Sequence, residues 1–231
     1  MQYNVYDILS LLQSISRVEF LHVLLLESQF LFSGLLAEAA FEKINESLQN
    51  VGDIMDEKRP QELSRISDIV TDIASSYEGA CDVLKKISDS FGLLVILMLG
   101  AIFIDLVIAP YFLFSVVQNP YINKLPIVMF TSNILWNFAN LILFMEPGNG
   151  TEVQMNQTKI ILSHLLRRVD PSDPLALHLH FFFKQLRLNN SSFTAVGLCT
   201  LTRPVILSIL GGVTTYLVIL LQFASLDKDT F

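Results

Sequence analysis

The sequence predicts an all-α protein, a multipass transmembrane helical bundle whose helices continue as cytoplasmic helical extensions. Three observations predict it. Hydrophobic residues make up 52% of the 231 residues and charged residues only 16%, and the mean hydropathy of +0.52 lies beyond ordinary soluble usage. Three apolar stretches each reach the roughly 20 residues that a helix needs to cross hydrocarbon. The segments between the spans repeat their apolar residues at helical spacing, so they are built to pack rather than to dangle.

Residues 1–117 hold a weak first span, a cytoplasmic helical hairpin and a second span. The first span is residues 18–40, where Glu19, Glu27 and Glu38 interrupt an apolar run. A charge at a span centre costs about 2.5–3.5 kcal/mol, yet the density of "FLHVLLL" and "FLFSGLLA" still predicts a crossing. "FEKINESLQNV" carries the period onward through Phe41, Ile44, Leu48 and Val51, and a charged break is expected over 52–60. The second arm repeats Leu63, Ile66, Ile69/Val70, Ile73, Tyr77, Ala80/Cys81, Leu84 and Ile87. Residues 92–117 then form the second span, with Asp105 as its single charge.

Residues 118–146 supply a short extracellular turn and the uncharged third span, 126–145. Residues 147–203 read as cytoplasmic helices split at "DPSDP", where Asp170-Pro171 stops one helix and Asp173-Pro174 starts the next. Residues 204–231 form the last span, 204–226, and the carboxyl terminus.

Lysine and arginine orient the set. The two long connections carry twelve of the fifteen cations, while Arg17, Lys124 and Lys228 fall on the other side. By the positive-inside rule both connections are cytoplasmic, and the 118–125 turn and the carboxyl terminus are outside. The glycosylation sequons at Asn45, Asn149, Asn156, Asn189 and Asn190 all lie in the cytoplasmic connections, so none should carry sugar. No cleavable signal peptide opens the chain.

Several functions are excluded. The net charge of −7 comes without a basic stripe, which argues against nucleic acid. No glycine loop for nucleotides, GxSxG or HExxH occurs, so no enzyme, cofactor or metal is predicted. His178 and His180 lie two apart, on different helix faces, and suit packing better than metal. Cys81 and Cys199 are expected to be free thiols.

The polar residues within the spans carry what chemistry there is. Asp105 either faces a cavity or snorkels toward a packing partner. Asn133, Asn137 and Asn140 recur at i, i+4, i+7 with Trp136 beside them. The stripe fits interhelical hydrogen bonding or a ligand pocket, for which Asn133, Trp136, Asn137 and Asp105 are the candidates. On the last span Ser208, Gly212, Thr215, Ile219 and Gln222 share one face at 4-3-4-3 spacing. Close helix packing and a water-lined path fit that stripe equally; in a symmetric oligomer it would ring the axis.

Residues 193–223, "FTAVGLCTLTRPVILSILGGVTTYLVILLQF", resemble the end of an insect gustatory receptor. Thr215-Tyr216, five apolar residues and Gln222-Phe223 carry the match, behind a family-like "FTAVGL" element. "FEKINESL" is similar to the segment after the fourth span of these receptors. The resemblance implies a chemosensory receptor subunit acting as a tastant-gated, non-selective cation channel. Its partners would be membrane lipid and like subunits in a homo- or hetero-tetramer, and its pore and gate residues Thr215, Ile219, Gln222 and Phe223. Family members have seven spans and an external carboxyl terminus, so this chain would represent the last four, a partial chain. An odorant-receptor-like subunit, a transporter fragment and a G-protein-coupled receptor are the alternatives; an external carboxyl terminus counts against the last.

Overall fold

The computed structural model describes the backbone of residues 5–56, 63–117, 124–171, 173–188 and 192–228, with side chains over 24–55, 65–117, 124–171, 173–188 and 192–223. The architecture is helical: α1 (Val5–Asp56), α2 (Leu63–Val117), α3 (Lys124–Arg168), α4 (Pro174–Leu188) and α5 (Arg203–Lys228), with a small hairpin, β1 (Thr194–Ala195) and β2 (Cys199–Thr200), before the last helix. Four of the helices are long and apolar enough to cross a membrane.

The apolar spans and the amphipathic segments that continue them are parts of the same rods. The 52, 55 and 45 residues of α1, α2 and α3 run without interruption, because an apolar span and an amphipathic extension differ in side chains while sharing one backbone geometry. Gly52 stays inside α1, where a Cβ would meet the Leu165 side chain at 3.2 Å. The break expected from 52 therefore comes after Asp56, and 57–62 lie outside the described residues. Pro147 sits within α3 and is buried.

The amphipathic extensions pack on one another. Phe41, Ile44, Leu48 and Val51 of α1 meet Ile66, Val70, Ile73, Tyr77, Cys81 and Leu84 of α2 in one buried core with Leu175, Leu179 and Phe182 of α4. Tyr77 lies edge-on to Phe41 at 5.4 Å and to Phe182 at 5.8 Å, joining α1, α2 and α4 through one ring. A satisfied polar knot pins α1 to α3. Asn45 Nδ2 donates to Gln154 O and Oε1, both at 2.9 Å, and Thr158 Oγ1 donates to Asn45 Oδ1 at 2.7 Å. The "DPSDP" break falls as expected: α3 ends at Arg168, and Asp173 caps α4 by accepting from Leu175 N–H at 2.9 Å.

At the top of this core a second aromatic hub gathers the elements. Phe30 of α1 meets Phe91 of α2 at 6.0 Å, Phe144 of α3 at 5.7 Å and Phe193 before the hairpin at 5.4 Å. The backbones close in beside it. A Cβ on Gly34 would overlap Pro147, and one on Gly148 would overlap the Leu201 carbonyl. Phe30 is thus level with the lower ends of the second and third spans, and residues 18–40 straddle that level. Glu38, two turns below it, packs its carboxylate on Gly150.

The hairpin was not foreseen. It pairs Thr194 with Thr200 and Ala195 with Cys199, and Leu198 N–H donates to Ala195 O at 2.9 Å. Val196 (φ 52°) and Gly197 (φ 67°) occupy the turn. Glycine accepts that conformation freely, whereas a β-branched valine is strained in it.

Candidate ligand cavity and the exposed last helix

Three of the helices converge on a cavity of about 390 Å³ in the membrane half of the bundle. Glu27 of α1, Asp105 of α2 and Asn133, Trp136, Asn137 and Asn140 of α3 supply its polar lining. Leu24, Leu97, Met98, Ala101 and Ile102 form the apolar walls. All four residues singled out as pocket candidates therefore meet at one site. Asp105 takes the first of its two readings: it is exposed to the cavity and, among the described residues, engages no hydrogen-bond or ion-pair partner.

The asparagine stripe lines the cavity, and among the described residues it makes no hydrogen bond between helices. Asn137 is only 6% exposed. Its Nδ2 donates to Asn133 O at 3.0 Å and to Asn133 Oδ1, so the pairing runs along one helix, not between two. Neither side chain takes a further partner among the described residues, which leaves Asn133 Nδ2 and Asn137 Oδ1 for the cavity. Sequence reasoning missed Glu27. Within an apolar run it reads as an interruption, and only the folded arrangement sets it opposite the asparagines of a helix a hundred residues later. A larger groove of about 640 Å³ runs between α1 and α2. It is lined by small and apolar side chains with Lys43, and it lacks the convergent polar groups of the smaller cavity.

The last helix is the least covered. Val213 alone counts as buried among its described residues. Its inner face meets α2 through Phe103, whose ring lies edge-on to Tyr216 at 5.8 Å and over Gly212, where a Cβ would come within 3.1 Å of it. The predicted stripe accordingly divides. Gly212 turns toward α2, while Ser208, Thr215, Ile219 and Gln222 are exposed, as is Phe223 at 65%. Thr215 Oγ1 donates to Gly211 O at 2.9 Å, which satisfies the hydroxyl within the helix. The base of α5 is tied to α3 by Arg203 Nη2, 2.9 Å from Glu146 Oε1.

With this geometry in hand, the comparisons are specific. The profile of the 7tm chemosensory receptor family matches residues 2–227. The gustatory receptor for sugar taste 43a of Drosophila melanogaster is 30% identical over 159 residues, covering 67% of this chain and 36% of the relative. The putative gustatory receptor 28a of the same fly is 24% identical over 163 residues, 67% of this chain and 35% of the relative. The gustatory and pheromone receptor 39a, isoform A, is 24% identical over 166 residues, 69% of this chain and 44% of the relative. The chain thus aligns with between about a third and a half of the length of these curated relatives.

Proposed function

The chain belongs to the 7tm chemosensory receptor family, and from that premise we propose that it is a subunit of a tastant-gated, non-selective cation channel in the plasma membrane. The observation that carries this reading is the position of Phe103. Its neighbour Ile102 lines the cavity, and its own ring rests on Gly212 and Tyr216 of α5. A ligand that shifts α2 at residues 97–105 therefore bears directly on the last helix. Coupling of this kind needs a contiguous packed contact between two elements, and here it is one side chain long.

The exposed outer part of α5 supports the second half of the mechanism. Thr215, Ile219, Gln222 and Phe223 are uncovered in the single chain. In a closed tetramer of like subunits each residue would recur about the axis. Gln222 would then form an amide ring and Phe223 an apolar constriction that opens when α5 moves. The same arrangement has the carboxyl terminus outside, as the cation asymmetry predicts. The relatives are named as gustatory rather than odorant receptors, which favours a tastant over an odorant.

The test places an acidic residue at the constriction. Phe223→Asp, made in this chain and at the motif phenylalanine of a full-length relative, should give a steady cation current without ligand. A variant as silent as the parent before ligand, and opening normally with it, removes Phe223 from the gate.

A further inference from the structure

We propose that the cavity between α1, α2 and α3 selects organic cations, protonated amines that carry an apolar or aromatic group. The inference rests on that cavity being the tastant pocket, and it specifies the chemistry of the ligand. Among the described residues the polar lining is acidic and amide, with Glu27 and Asp105 as its ionisable members and no lysine, arginine or histidine. Neither carboxylate engages a hydrogen-bond or ion-pair partner among the described residues. An ionised carboxylate in a membrane interior requires a compensating positive charge, and this site leaves that charge to the ligand.

The remaining lining fits the same guest. Asn137 spends its amide hydrogens on Asn133, so its oxygen is the end available to accept from an ammonium N–H. Trp136 adds an aromatic face of the kind that attracts cations through its quadrupole. Leu97, Met98 and Ile102 offer an apolar wall for the organic part. A hydrated inorganic ion would have no use for that wall. A volume of about 390 Å³ lies at the small end of the range that holds drug-sized ligands.

Trp136 is the single tryptophan of the chain and lines the cavity, so its emission reports on this site alone. The whole chain, purified into lipid nanodiscs at constant ionic strength, is titrated with phenethylammonium chloride, with its neutral counterpart 2-phenylethanol, and with fructose. The expected result is a saturable change with phenethylammonium and binding about tenfold weaker, or absent, for the two neutral probes. Glu27→Gln and Asp105→Asn, checked for intact helicity by circular dichroism, should each weaken the cation about tenfold. Equal or tighter binding of a neutral probe by the unaltered chain overturns the cationic preference while leaving the pocket standing. An unchanged titration in both carboxamide variants does the same. A response to sodium or calcium chloride alone overturns it in favour of an inorganic-ion site, and silence from all three organic probes overturns the preference together with the pocket.

Discussion

Tyr77 shows how much one side chain can hold. Its ring is fully buried between Phe41 and Phe182, while its hydroxyl is buried and, among the described residues, has no hydrogen-bond partner. Burial, with the nearby Cys81 thiol as a smaller cause, pushes the phenol well above its ordinary value. A raised folded value means that the native state holds the proton more tightly than the unfolded chain does. Its contribution is complete below the unfolded value of about 10 and is lost as pH climbs above it. Tyr77→Phe should therefore be neutral or stabilising by up to about 1 kcal/mol at neutral pH, since it removes a buried unpaired hydroxyl and keeps the ring. It should also flatten the loss of thermal stability above about pH 10. Melting of the detergent-solubilised protein across that range decides it; a variant that melts well below the parent at neutral pH would show that the hydroxyl is bonded after all.

At the scale of elements, the amphipathic stripes were legible because a 3.6-residue period needs only one helix to be seen. Phe41, Ile44, Leu48, Val51, Tyr77 and Leu84 all lie where that period sends them. Relations between helices were not legible. The level of α1 against its neighbours is set by Phe30 meeting Phe91 and Phe144, a fact with no trace in local pattern. Nor could two-residue strands reveal a hairpin whose turn depends on Val196 accepting a left-handed backbone. The site shares this division: Asn133, Trp136 and Asn137 are read from one helix, whereas Glu27 gains meaning only from the helix it faces. The level of α1 has a measurable outcome. Ala39 lies nine residues beyond Phe30 along α1, about 14 Å below the aromatic hub. In a background lacking Cys81 and Cys199, Ala39→Cys should react with an impermeant thiol reagent from the cytoplasmic face. Leu25→Cys, equally uncovered within the protein but above Phe30, should stay protected by lipid. Protection of both would move α1 up, toward the outer face, by two to three turns.

For the whole molecule, the expected orientation rests on where twelve of fifteen cations lie. Expression in insect cells should give a chain whose mobility is unchanged by glycosidase. Asn45 is buried with its amide engaged and is closed to modification in the fold whatever the orientation. Asn156 is exposed and is the informative sequon; sugar there would invert the topology. The unbroken rods also have a mechanical meaning. At 1.5 Å per residue, the 55 residues of α2 span about 80 Å, with Phe91 seated near the middle in the ring cluster around Phe30. A stiff rod held at its middle is a lever on a fulcrum. A tilt of about 5° that carries its outer half one way must carry its inner half the other, by about 3 Å at each end. α5 has no such inner arm: it begins at the hairpin and at the Arg203–Glu146 pair. In the proposed channel α2 is one of three rods that would carry a change at the cavity to the inner half, and α5, without an inner arm, is the part expected to swing.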